Sequence, residues 1–142
     1  MDDKTTKYAN YEYSEISNFI FQAFFTVYNE LGFCFEKSVY EKSLVIELQN
    51  LGLNCRIQRK NPIIYKNKEV GTYLIDIIVE NKIMLQILTN EEIRISDEQK
   101  MYQFLRACEL EVGYILNFGQ KPTYRRKNCA NQYKRRLKKD LD

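Results

Sequence analysis

The sequence predicts an α/β fold: a mixed sheet flanked by helices, in the order helix, helix, three strands, helix, strand. Three observations carry this expectation. Two segments near the start place apolar residues at helical spacing. Two apolar, β-rich runs flank a turn at Glu80-Asn81-Lys82. Finally, Val112-Gly113-Tyr114-Ile115-Leu116-Asn117-Phe118 is apolar almost throughout, as a strand covered on both faces is.

The first helix is expected over about residues 14–31. Ile16, Phe19, Ile20, Ala23, Phe24, Val27, Tyr28 and Leu31 share its apolar stripe, and Gly32 ends it. Phe21 and Phe25 fall outside that stripe, an excess that suggests a protein partner or a homodimer contact. A second helix starts near Ser38, turns Val39, Leu44, Val45, Leu48 and Leu51 inward, and stops at Gly52. Residues 55–58 and 63–65 are expected as separate extended segments, broken at Asn61-Pro62. After a turn at Lys66-Asn67-Lys68, a hairpin pairs residues 72–79 with residues 83–88. Ser96 or Asp97 would cap a third helix over residues 98–108, burying Met101, Phe104 and Leu105. Pro122 marks the expected exit from the core, and residues 131–139 form a basic helix or stay disordered.

A chain of 142 residues suffices for one domain with a buried core, and 44% hydrophobic residues exclude wholesale disorder. The expected organisation is a flexible N-terminus over 1–13, a folded domain over 14–120 and a basic tail over 121–142. Residues 1–120 carry 13 Lys/Arg against 17 Asp/Glu, whereas residues 121–142 carry 9 against 2, so the tail alone holds +7. That tail points to a polyanionic partner, DNA or RNA, through Arg125, Arg126, Lys127, Lys134, Arg135, Arg136, Lys138 and Lys139. The chain has no histidine, and its four cysteines form no C-x-x-C pair, which argues against structural zinc and excludes histidine-dependent catalysis. No run is long and apolar enough to be a signal peptide or to span a bilayer. The expectation is a soluble intracellular protein with reduced thiols and no membrane contact.

The hairpin holds the residues of most chemical interest. Asp76 lies on its first strand, and Gln86-Ile87-Leu88 on its second. Around it run Leu31-Gly32, Ser38-Val39-Tyr40-Glu41, Tyr65-Lys66, Val70-Gly71, Val79-Glu80-Asn81-Lys82, Phe104-Leu105-Arg106-Ala107, Leu110-Glu111-Val112-Gly113 and Leu116-Asn117-Phe118-Gly119. In order and spacing these resemble the GxxExxY family of the PD-(D/E)XK nuclease superfamily, over roughly residues 14–120. The resemblance implies a restriction-endonuclease-like core with an extra N-terminal helix. It also implies a magnesium site in which an Asp and a Glu-x-Lys hold the cation and stabilise charge near the attacking water.

This chain departs from that pattern at most of the positions that matter. The family's Gly, Glu and Tyr correspond to Cys34, Lys37 and Tyr40, so only the tyrosine is kept, and Glu36 stands one residue early. The Glu-x-Lys becomes Gln86 and Leu88, and a Gln common on the third helix becomes Lys100. Asp76 alone survives of the catalytic acids, beside a Lys37 that repels cations or fills the metal's place as a salt bridge. The expected function is therefore a catalytically inactive, nuclease-like protein retained to bind nucleic acid, without a cofactor. Two alternatives stand beside it. One is a structural or assembly subunit of a larger complex. The other is a magnesium-dependent nuclease with a rearranged site, using Asp76 as metal ligand with Glu36 or Glu41 and a migrated Lys100.

Overall fold

Apolar residues recurring every three to four positions give the first helix, α1 (Tyr13–Leu31), a buried stripe of Ile16, Ile20, Ala23, Phe24 and Val27. The backbone amide of Glu12 donates to the Glu15 carboxylate at its start, and the Gly32 amide donates to the Tyr28 carbonyl at its end. The computed structural model describes residues 12–134. After α1 come α2 (Lys37–Asn50), β1 (Cys55–Tyr65), β2 (Lys68–Val79), β3 (Ile83–Leu88), α3 (Ile95–Arg106), β4 (Val112–Phe118) and β5 (Pro122–Asn128), then a short 3-10 turn over Asn131–Tyr133.

The strands form one sheet in the order β1-β2-β3-β4-β5, with β3 and β4 parallel and the other pairs antiparallel. The parallel step follows from α3, which carries the chain over one face between β3 and β4. Side chains alternate across the strands and build two cores. Ile77, Val79, Leu85, Ile87, Tyr114 and Leu116 pack with α1 and α2. Ile75, Ile78, Met84 and Ile115 pack with Met101, Phe104 and Leu105 of α3.

Four expectations need correction. Residues 55–65 are one continuous strand, not two segments: Pro62 pairs opposite Thr72 on an edge strand, where a missing amide hydrogen is tolerated. The third helix starts earlier, at Ile95, because the Asp97 carboxylate accepts from the Arg94 amide and so satisfies the first turn. The chain does not leave the core at Pro122, which opens β5 against the full length of β4. The 3-10 turn over residues 131–133 stands where a basic helix was the alternative to disorder, and residues 135–142 lie outside the described residues. β5 also accounts for part of the aromatic excess on α1. The Phe21 ring packs at 5.1 Å from Tyr114 and 4.6 Å from Tyr124, and the Tyr28 hydroxyl donates to the Gln120 carbonyl. Phe25 remains partly exposed.

At Gly113, α3 lies close over the sheet. A Cβ there would lie 2.5 Å from Met101 Sδ. Gly113→Ala is therefore expected to cost about 1–3 kcal/mol by overpacking. In urea unfolding, Gly113→Ala with Met101→Ala should lose less than the sum of the two single changes. Strict additivity would show that Met101 moves aside freely.

Candidate functional site

Asp76 sits where the regular alternation of β2 breaks. Ile75 packs into the α3 core and Ile77 into the α1–α2 core, although residues two apart on a regular strand share a face. On β1, Gln58 drops out of the ladder between the pairs Ile57↔Ile77 and Arg59↔Ile75, with φ of 53°. The ladder between β2 and β3 is recorded only over Ile77↔Leu85, Ile78↔Met84 and Val79↔Ile83. Beyond it, the Asp76 carboxylate takes over as acceptor: Oδ2 receives the Ile87 amide at 2.9 Å.

That carboxylate is only 2% exposed, so its charge needs compensation. Lys37, in the first turn of α2, supplies it: Nζ lies 3.0 Å from the same Oδ2. Glu41 follows Lys37 by four residues and therefore shares its helical face. Its carboxyl is pushed above the usual range by burial and then by the Asp76 charge, against the opposing effects of Lys37 and of Gln58, whose Nε2 donates to Oε2 at 2.9 Å. Glu41 thus lies within the field of both the buried Asp76 charge and the ammonium paired with it. Sequence reasoning named Glu41 only as an alternative ligand; its i,i+4 spacing from Lys37 was the available signal.

The other motif positions flank the Ile87 amide. Gln86 is buried, and its Oε1 has no hydrogen-bond partner. Leu88 packs against the α3-side core. Tyr40 is fully buried: its hydroxyl donates to the Gly32 carbonyl at 2.7 Å and accepts from the Phe35 amide at 3.3 Å. Its ring stacks on Phe118 at 4.1 Å between centroids. Glu36 is exposed at the N-cap of α2. Lys100 is exposed on α3, with Nζ 5.6 Å from the centroid of the Phe104 ring.

This set does not fit a magnesium ion. Among the described residues no group of three or more Asp, Glu, Cys or His could hold a metal. One of the two Asp76 oxygens, Oδ2, is already bonded to an ammonium and an amide. A cation placed about 4 Å from Lys37 would meet repulsion of ~4 kcal/mol per unit charge at an effective dielectric near 20.

The basic residues divide into separate groups. On β5, Arg125 pairs opposite Ile115 and Lys127 opposite Gly113, which puts both on the α3 side. Lys127 Nζ lies 2.6 Å from Glu98, whose carboxyl is held below the usual range by that bond and, less strongly, by Arg125. Arg126 faces the α1 side, 5.9 Å from the centroid of the Tyr114 ring. Lys134 is not a surface cation. It is 1% exposed and donates to the carbonyls of Cys108 at 3.0 Å and Leu110 at 2.6 Å. Arg135, Arg136, Lys138 and Lys139 lie outside the described residues. Arg59 makes a two-point pair with Glu109, at 2.5 and 3.0 Å.

A hairpin with Asp76 on one strand and the Gln86–Leu88 segment on the next, flanked by α2 and α3, is the arrangement of a known nuclease core. The family model for the PD-(D/E)XK nuclease superfamily matches residues 14–128. The chain belongs to this superfamily. Among solved structures, the crystal structure of SSO0001 aligns with a TM-score of 0.51 at 17% identity, a likeness of fold. The alignment covers 73% of this chain, which spans 56% of that protein's length. No curated protein sequence matches. No described helix of this PD-(D/E)XK protein is long and apolar enough to cross a membrane.

The paired carboxylates set a pH dependence. A carboxyl whose pKa is higher in the fold than in the unfolded chain binds more protons when folded. Its stabilising contribution is therefore present in acid and is lost as pH rises through the folded value. Glu41→Gln keeps a partner for Gln58 and removes the charge. The variant is expected to melt higher than the parent at neutral pH, with the difference closing towards about pH 4. Equal melting temperatures at neutral pH would mean that Lys37 fully compensates both acids.

Proposed function

We propose that this PD-(D/E)XK protein, of the GxxExxY type, is catalytically inactive and is retained to bind nucleic acid. The observation that carries the reading is the Lys37 ammonium seated on Asp76, the carboxylate a metal would need. The neutral Gln86 and the packed Leu88 support it, because neither replaces the lost charge. The binding half of the reading draws on superfamily membership. It also draws on Arg125 and Arg126, which are exposed on an edge strand, and on the positive balance of residues 121–142.

The assembly-subunit alternative has less support, because Phe21 packs on Tyr114 and Tyr124 and leaves Phe25 as the exposed ring of that pair. For a rearranged magnesium-dependent nuclease, Glu41 is the acid whose charge is coupled to Asp76.

Two assays test the proposal. Incubating single- and double-stranded DNA and RNA with magnesium or manganese should give no cleavage; cleavage lost in Asp76→Ala would establish an enzyme. Binding at low salt should weaken steeply as salt rises, and Arg125→Ala with Arg126→Ala should lower the salt slope by about 1–2. Deleting residues 121–142 is unsuitable because it removes β5; deletion of 135–142 tests the tail and leaves β5 in the chain. Absence of binding at low salt would refute the binding role.

A further inference from the structure

Two phenyl rings stand partly in water beside the degenerate motif. Phe33 is 44% exposed and Phe35 48%. Together with Thr89, Asn90, Glu91 and Gln120 they line a cleft of about 540 Å³. Thr89 directly follows Leu88, so one wall of the cleft continues from the end of β3. Its volume falls within the range of small-ligand sites.

Both sides of the cleft are held by buried side chains. The loop carrying the rings includes Gly32 with φ of 67° and Cys34 with φ of 88°, a left-handed backbone that costs a non-glycine residue energy. Tyr40 holds that loop in place through its bonds to the Gly32 carbonyl and the Phe35 amide, while its ring is fixed against Phe118. Opposing contacts come from Asn117, which is fully buried. Its Oδ1 accepts from the Asn90 amide at 2.9 Å, and its Nδ2 donates to the Asn90 carbonyl at 3.0 Å. A Cβ on Gly119 would lie 2.5 Å from that carbonyl, so the glycine lets the two segments approach.

Resting on the nucleic-acid reading above, we infer that this cleft takes an unstacked nucleobase from a single strand, packed against Phe33 and Phe35 with its edge towards Thr89, Asn90 and Glu91. Aromatic rings in water favour a flat π-face, and every base offers one. The polar lining offers a carboxylate and an amide to the donors and acceptors of a base edge, which an aliphatic side chain could not use. Lys121 directly follows Gln120, which places a cation beside one wall of the cleft for a flanking phosphate. A duplex keeps its bases stacked and cannot fill the cleft without extruding one.

The test uses a fluorescein-labelled oligothymidylate of about twelve nucleotides and a duplex of the same length. The wild type should bind the single strand more tightly. Phe33→Ala with Phe35→Ala should weaken single-strand binding about tenfold or more while leaving duplex binding unchanged. A second readout needs no substitution, because Cys34 lines the same cleft and is exposed. Cys108 and Cys129 are buried, and burial pushes the Cys55 thiol up to about 12. Alkylation at neutral pH therefore reports on Cys34, and the oligonucleotide should slow it. Single-strand binding that is insensitive to both phenylalanines, with Cys34 unprotected, would overturn the cleft assignment and leave the nucleic-acid reading standing. No binding of either form at low salt would overturn both.

Discussion

A carboxylate buried at the point where two strands part has to be compensated, and around Asp76 the compensation organises the site. The Ile87 amide and the Lys37 ammonium share Oδ2, so one oxygen ties β2 to β3 and both to the first turn of α2. In an active enzyme of this superfamily the same carboxylate would be balanced by a divalent cation. Here the positive charge is covalently attached to a helix. A tethered ammonium is always present and cannot carry a water molecule into attack. On the proposed reading, the arrangement keeps the architecture that Asp76 supports and removes the reason for a metal to enter.

Tyr40 performs a second, separable task. Its ring closes the core against Phe118, while its hydroxyl meets an acceptor and a donor in the loop between α1 and α2. That loop needs outside support because Cys34 has a left-handed conformation without being a glycine. On the proposed GxxExxY reading, Tyr40 is the one of the three naming residues that is retained, and it shapes this backbone through its hydroxyl and ring. On that reading, the chain lacks motif residues that would touch a metal and keeps one that builds the surface beside it.

How much of this was legible in the sequence depends on how each element is buried. α1, β3 and β4 could be read because one stripe or both faces are covered, which forces a strong apolar pattern. β5 could not: as an edge strand of mostly polar residues its pattern is weak, and only the partner β4 reveals it. Pro62 looked like a break because its cost depends on whether the amide position faces a neighbour, which sequence does not state. Lys134 looked like part of a basic tail, but a chain reversal after β5 brings it onto two carbonyls left open between α3 and β4. At the site, the spacing placed Asp76 on one strand of the hairpin and Gln86 and Leu88 on the next, and set Lys37 beside Asp76 as a candidate salt bridge; the Ile87 amide that joins them is visible only in the structure. The coupling of Glu41 to Asp76 required the geometry of α2 over the hairpin.

The central claim is that Lys37 occupies the place of the metal. Crystals soaked in manganese and measured for its anomalous scattering address this directly, because an ion on Asp76 would sit against the repulsion of the Lys37 ammonium. The account predicts Lys37 Nζ within salt-bridge distance of Asp76 and no manganese there. A manganese peak on the Asp76 carboxylate, with the Lys37 side chain turned away, would contradict it.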